Sequence, residues 1–261
     1  MMDWDFHEKA VWVTGAGSGI GCAVAHRFQQ LGARVIGLDV EVKNVDGEFP
    51  LRQLNIADPY QVGATVRELL RENLGPDILV NAAGALRLGS VDASDFHPLS
   101  IDDWHKCLDV NVSGVFYLLR HLTAHFKQQR RGAIVNVASN AARVPRKNMA
   151  AYCASKAALQ SLSHCTALEL AEYGVRCNLV SPGSTDTPML RGMLADHTGD
   201  ASVGYQRTIE GLPGEYKLGI PLKKIASVNE IANTVLFLAS DAASHITMQN
   251  IVVDGGATLA A

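Results

Sequence analysis

Short apolar runs alternate with longer amphipathic stretches almost from one end of this 261-residue chain to the other. Ala10-Val11-Trp12-Val13 reads as a buried strand, and the amphipathic stretch after it runs to about Leu31, where Gly32 stops it. Further strands are predicted at 34–39, in a segment ending near Leu54, Asn55 and Ile56, and at 77–81, 133–139, 175–180 and 251–253. Helices are predicted over about 59–73, from Ser100 (with Asp103 at capping-box spacing) to about 128, for about 20 residues from Ala150, and over about 227–239. Repeated strand–helix units bury both faces of a parallel sheet under helices. The right-handed crossover rule then leaves a doubly wound, Rossmann-type α/β arrangement as the simplest topology. The length is near the upper size of one hydrophobic core, and no linker composition or internal repeat divides it, so a single domain over 1–261 is expected. The irregular stretch 187–221, which carries Gly211, Pro213 and Gly214, is expected to act as a substrate lid.

The first strand runs straight into Thr14-Gly15-Ala16-Gly17-Ser18-Gly19-Ile20-Gly21, where a helix begins. Glycines let the backbone turn tightly and approach a pyrophosphate, and a helix N-terminus offers unpaired N–H groups with a positive dipole end. Gly15, Ser18, Gly19 and Ile20 are therefore candidate cofactor contacts. Asp39 ends the second strand, where a carboxylate would accept bonds from both hydroxyls of an adenosine ribose and repel a 2′-phosphate. Val40, Glu41 and Val42 follow it with no cation, which favours NAD over NADP.

Tyr152 and Lys156 lie four residues apart at the start of a predicted helix and so share one face of it. Ser139 lies at the end of the preceding strand, on the carboxyl edge of the sheet, where ligands bind in such folds. Alcohol oxidation needs a base for the hydroxyl proton. Tyrosine, with an ordinary pKa of about 10, serves only if neighbouring positive charge stabilises its phenolate. Lys156 is placed to do that, and Ser139 to orient the substrate oxygen.

Other classes are disfavoured. Hydrophobic residues make up 48% and charged residues 19%, an ordinary globular balance rather than a disordered one. A net charge of −3 gives no pull toward nucleic acid or anionic lipid. No apolar run approaches the ~20 residues of a membrane span. The opening Met1-Met2-Asp3-Trp4-Asp5-Phe6 lacks signal-peptide order, so a cytoplasmic protein is expected. The five cysteines (22, 107, 153, 165 and 177) form no Cys-x-x-Cys pair and read as reduced thiols. No cluster has metal-ligand spacing, and no metal is expected.

Thr14-Gly15-x-x-x-Gly19-x-Gly21, Asn81-Ala82-Ala83-Gly84, Asn111, Ser139, Tyr152-x-x-x-Lys156 and Pro182-Gly183, taken in order over nearly the whole chain, resemble the short-chain dehydrogenases/reductases. The resemblance implies that Tyr152 is the acid/base, that Lys156 binds the nicotinamide ribose, and that Ser139 holds substrate. Asn111 would sit in a locally bent helix and support a water-linked proton path to Lys156. Asn81, Ala83 and Gly84 would pass beside the adenosine ribose, and Pro182, Thr185 and Thr187 would meet the nicotinamide carboxamide. Where the family often has an aspartate after the third strand, this chain has Asn55, followed by Ile56, at the adenine. A homotetramer is implied as well. Further stretches, among them 81–89, 181–187 and 217–222, resemble the branch of the family that oxidises a carboxylated cyclohexadiene diol to a catechol for siderophores. Such a carboxylate needs a cation, and Arg87 or Arg146 could form the bidentate pair. Met189 and Leu190 are candidates to cover the ring or to serve as plain packing.

Overall fold

A computed structural model describes residues 4–42, 49–198 and 201–259. Its strands are β1 (Ala10–Thr14), β2 (Arg34–Asp39), β3 (Leu51–Gln53), β4 (Ile78–Asn81), β5 (Gly132–Val137), β6 (Val175–Pro182) and β7 (Asn250–Val253). The helices are α1 (Gly19–Gln30), α2 (Pro59–Arg71), α3 (Ile101–Leu108), α4 (Gly114–Gln129), α5 (Ala150–Leu170), α6 (Pro188–Thr198), α7 (Ala201–Glu210) and α8 (Val228–Ala239). The strands form one sheet in the order β3-β2-β1-β4-β5-β6-β7, every neighbouring pair parallel. The order reverses between β1 and β4, which opens a crevice at the carboxyl ends of those two strands.

Alternation within each strand fills both faces. In β1, Val11 and Val13 enter a core with Val24 and Phe28 of α1 and Val235 of α8, while Trp12 enters the opposite core with Leu118 of α4 and Leu159 of α5. All of these side chains are buried, as expected for a parallel sheet covered on both sides. Asp58 caps α2 by accepting from the Tyr60 and Gln61 amides, and Ser227 with Glu230 forms a full capping box on α8.

Three predicted elements differ. The third strand is shorter than expected and stops at Gln53, because the Asn55 side-chain oxygen accepts from Ala57 N at 3.1 Å and turns the chain into α2. The long helix from Ser100 is interrupted by a π-helical turn, Asp109–Ser113, between α3 and α4. The stretch 187–221 is not irregular; it carries α6 and α7. Thr187 Oγ1 accepts from Leu190 N at 3.2 Å, and Pro188 takes the first helical position, a start signal that the later glycines and proline masked.

Candidate active site

The crevice begins where Thr14 ends β1. Its buried hydroxyl accepts from both Ala82 N and Ala83 N at 3.1 Å, tying the end of β1 to the chain leaving β4. A Cβ on Gly15 (φ +69°) would lie 2.7 Å from the Ala83 backbone, and one on Gly21 would lie 2.2 Å from the Gly15 carbonyl oxygen. Both positions therefore require glycine. Ser18, exposed and extended, precedes α1 without capping it by its side chain, so the first N–H groups of α1 face outward unshared. Asp39 accepts from Gly17 N at 2.8 Å through one carboxylate oxygen and from Glu41 N at 3.0 Å through the other. The same carboxylate thus braces the glycine loop and keeps lone pairs for a diol. A cradle open to backbone approach, a free helix N-terminus and a carboxylate at the second strand fit a dinucleotide. Asn55 spends part of its oxygen on Ala57, and Ile56 is buried in the core against Gly114.

Beyond the cradle, side chains from β4, β5, α5 and the π-turn lock together. Lys156 is 4% exposed; it donates to the Val137 carbonyl at 2.9 Å and stands 5.8 Å from the centre of the Tyr152 ring. Asn111, fully buried in the π-turn, accepts from Ala85 N at 2.8 Å and donates to Ala85 O at 2.9 Å and Ser155 Oγ at 2.8 Å. Ser155 Oγ donates to the Tyr152 carbonyl at 2.8 Å. Behind them Asn81 Nδ2 donates to Asn136 Oδ1 at 2.7 Å, and Asn136 Nδ2 donates to Ser163 Oγ at 2.8 Å. Asn136, Ser155 and Ser163 were not singled out from sequence. Ser155 had a signal, since it sits between Tyr152 and Lys156; Asn136 and Ser163 had none beyond being polar in apolar runs.

Burial governs the ionisation here. It pushes the Tyr152 phenol above its ordinary value, and a hydrogen bond from the Ser139 hydroxyl draws it only partly back. Lys156 is lowered to about 8, also by burial. The expected depression of Tyr152 by the ammonium is therefore absent in the protein alone, because the lysine's bond goes to Val137 and desolvation dominates.

A cavity of about 220 Å³ opens over Ser139, Tyr152 and Lys156. Ile20, Gly84, Pro182, Thr185 and Thr187 line its cofactor end, and Met189, Leu190, Met193 and Leu212 its far wall. Among the described residues four cations line it (Lys156, Arg146, Arg207 and Lys217) and no aspartate or glutamate does. Arg146 is half-buried there, its charge disfavoured mainly by burial and partly offset by Cys153 and Asp254, with no ion-pair or hydrogen-bond partner for its side chain among the described residues. Arg87 is elsewhere. It pairs with Asp103 of α3 at 2.9 Å and donates to Leu86 O at 2.8 Å, so the acidic first turn of α3, not the cavity, holds it. Arg207 and Lys217 were missed because they lie in the stretch read as irregular. Among the described residues no group of three His, Cys, Asp or Glu side chains assembles as a metal site.

Residues 15–258 match the family described as Enoyl-(Acyl carrier protein) reductase. The chain is 51% identical over 257 residues to the 2,3-dihydro-2,3-dihydroxybenzoate dehydrogenase of Escherichia coli (strain K12), covering 98% of this chain and 100% of that one. It is 43% identical over 265 residues to the enzyme of the same name from Bacillus subtilis (strain 168), covering 96% of each. Among solved structures, ligand-free aldohexose dehydrogenase from Thermoplasma acidophilum superposes with a TM-score of 0.89 at 31% identity, covering 98% of this chain and 96% of that one. A match spanning nearly every residue of the sheet and its cradle leaves no room for another ancestry, and the chain belongs to the short-chain dehydrogenase/reductase family of oxidoreductases, which work with a nicotinamide dinucleotide.

Proposed function

We propose that the protein oxidises 2,3-dihydro-2,3-dihydroxybenzoate to 2,3-dihydroxybenzoate with NAD, in the cytoplasm, as a step in making a catecholate siderophore. The observation that carries this reading is the cavity itself, where a Ser139–Tyr152–Lys156 floor meets walls holding cations and, among the described residues, no acid. The Escherichia coli and Bacillus subtilis relatives, whose names carry this activity, support it. NAD rather than NADP follows from Asp39, whose carboxylate would repel a 2′-phosphate.

Gly15, Ser18, Gly19 and Ile20 would hold the pyrophosphate, Asp39 the adenosine ribose, and Asn55, Ile56, Asn81, Ala83 and Gly84 the adenine side. Pro182, Thr185 and Thr187 would hold the carboxamide. The bound nicotinamide supplies the hydride acceptor. Ser139 orients the substrate hydroxyl, and Tyr152 Oη accepts its proton as the carbon–hydrogen bond breaks. Lys156, still mostly protonated at neutral pH with a value of about 8, stabilises the phenolate once the cofactor's own positive charge is added. Asn111 holds the backbone at Ala85 beside Lys156, where a water-linked proton path would run. The ketone formed then tautomerises to the catechol, and aromatisation removes it from the redox equilibrium. Of the two arginines considered, Arg146 takes the carboxylate; Arg87 is committed to Asp103.

The reading keeps 1–261 as one working unit, with 187–221 as the wall over the substrate. It also keeps the homotetramer, which the exposed Phe116 of α4 and Leu168 of α5 support. Among the described residues no helix is long and apolar enough to cross a membrane, and all five cysteines are free thiols. The test is NADH formation from 2,3-dihydro-2,3-dihydroxybenzoate with NAD and with NADP. Turnover with NAD alone is expected. A folded, NAD-binding protein that leaves this diol untouched would sink the substrate assignment.

A further inference from the structure

We infer that Arg207 of α7 is a second cation on the substrate carboxylate, facing Arg146 across the cavity, and that the two together set the enzyme's selectivity for carboxylated diols. The inference rests on the proposed substrate. Its basis is a comparison of the four cations that line the cavity. Lys156 is spent on the Val137 carbonyl and the tyrosine. Lys217 is paired with Glu215 at 2.6 Å. Arg146 and Arg207 alone have no ion pair and no side-chain hydrogen bond among the described residues. With no carboxylate among the described lining residues, Arg146, half-buried, and Arg207, exposed, both keep their guanidinium donors available to a ligand carboxylate.

A carboxylate has two oxygens and about four lone-pair directions, enough to meet two guanidinium groups at once. Arg146 would reach it from the loop between Ser139 and Tyr152. Arg207 reaches it from α7, among Thr208, Gly211 and Leu212 on the far wall. The wall is not loosely hung. Asp186, one residue before the cofactor-end Thr187, accepts from Arg191 Nε at 2.8 Å and Arg191 Nη2 at 2.9 Å, and from the Tyr205 hydroxyl of α7. This bond sets α7 relative to the nicotinamide end of the cavity. Arg207, two residues after Tyr205, thereby takes a position referenced to the hydride acceptor. An aromatic ring between Met189 and Met193 on one side and the Tyr152 floor on the other would direct its carboxylate toward the two arginines.

Arg207→Ala and Arg207→Lys variants test this, with Gln206→Ala, an exposed position of α7 outside the described cavity lining, as the control. Binding of 2,3-dihydroxybenzoate and of catechol to the NAD-loaded protein is measured by calorimetry, beside steady-state kinetics with the carboxylated diol and with cyclohexadiene diol lacking the carboxylate. The expected result in Arg207→Ala is a loss of about 10- to 100-fold in affinity for 2,3-dihydroxybenzoate and in kcat/KM for the carboxylated diol. Catechol binding, turnover of the uncharged diol and the KM for NAD stay within about twofold. Lysine, which lacks the planar fork, restores only part of the loss. An equal loss with both diols, a raised KM for NAD, or no change at all would overturn the role of Arg207. Failure of the proposed substrate looks different: the wild type itself would then bind 2,3-dihydroxybenzoate no better than catechol.

Discussion

The floor and the far wall of the cavity are built in opposite ways. On the floor Asn111, Ser139, Ser155 and Lys156 are buried and Tyr152 is half-buried. Asn111 makes three hydrogen bonds, and the Asn81–Asn136–Ser163 chain crosses from β4 through β5 to α5 without meeting water. On the walls Arg146 and Arg207 make no side-chain hydrogen bond or ion pair among the described residues, and Met189 is exposed. The floor is a preorganised device for moving one proton, for which a misplacement of an ångström is costly. The walls keep their charges unspent so that a ligand can satisfy them. Chemistry sits where the fold over-determines position, and selectivity sits where it leaves charge uncompensated.

The largest effect expected on the floor is that of Tyr152→Phe. Removing the proton acceptor should lower kcat by about a thousandfold. NADH binding, followed by its nicotinamide fluorescence, should be kept, since Asp39 and the glycine loop are untouched. Retained turnover would show that the floor does not carry the chemistry.

Next is the price of burying Lys156. Its folded value, about 8, lies below the ordinary 10.5. The charged form is therefore penalised in the folded state, fully so below about pH 8, and the penalty is relieved as pH rises toward the unfolded value. At about 1.4 kcal/mol per unit this is roughly 3 kcal/mol. In denaturant unfolding of the cofactor-free protein, Lys156→Met should be most favoured over the wild type near neutral pH, and the difference should shrink between pH 8 and 10.5. A difference independent of pH would mean that the ammonium is not desolvated.

The smallest effect belongs to Arg87→Ala. Its ion pair with Asp103 is 38% exposed on both sides and worth less than about 1 kcal/mol. Stability should fall slightly and KM for the carboxylated diol should stay within about twofold. A large rise in KM would reassign the carboxylate and dissolve the contrast between the arginines.

The same contrast governs what was legible in the sequence. Local patterns survive translation into structure. The strand limits 34–39, the stop at Gly32, and Tyr152 and Lys156 on the first turns of α5 all depend on residues a few positions apart. Asn111 in a bent helix came from the family resemblance instead, and the chain has a π-helical turn there. Contacts between distant residues were not legible. Asn81 meets Asn136 across 55 positions, and Lys156 chooses a carbonyl 19 positions back rather than the tyrosine beside it. The difference between Arg87 and Arg146 could not be read from their spacing to the motifs, because Arg87 pairs with Asp103, an acid that also accepts from the hydroxyl of the helix cap Ser100. Arg207 was invisible because a lone arginine on a short exposed helix has the same sequence appearance as a solvated one.

The most direct test of the division between floor and walls is the ratio of kcat/KM for the carboxylated diol to that for its uncharged analogue, measured in Arg146→Ala. The ratio should fall by about 10- to 100-fold, all of it from the carboxylated substrate, with kcat for the uncharged diol unchanged. A ratio equal to that of the wild type, or an equal loss on both substrates, would contradict the account.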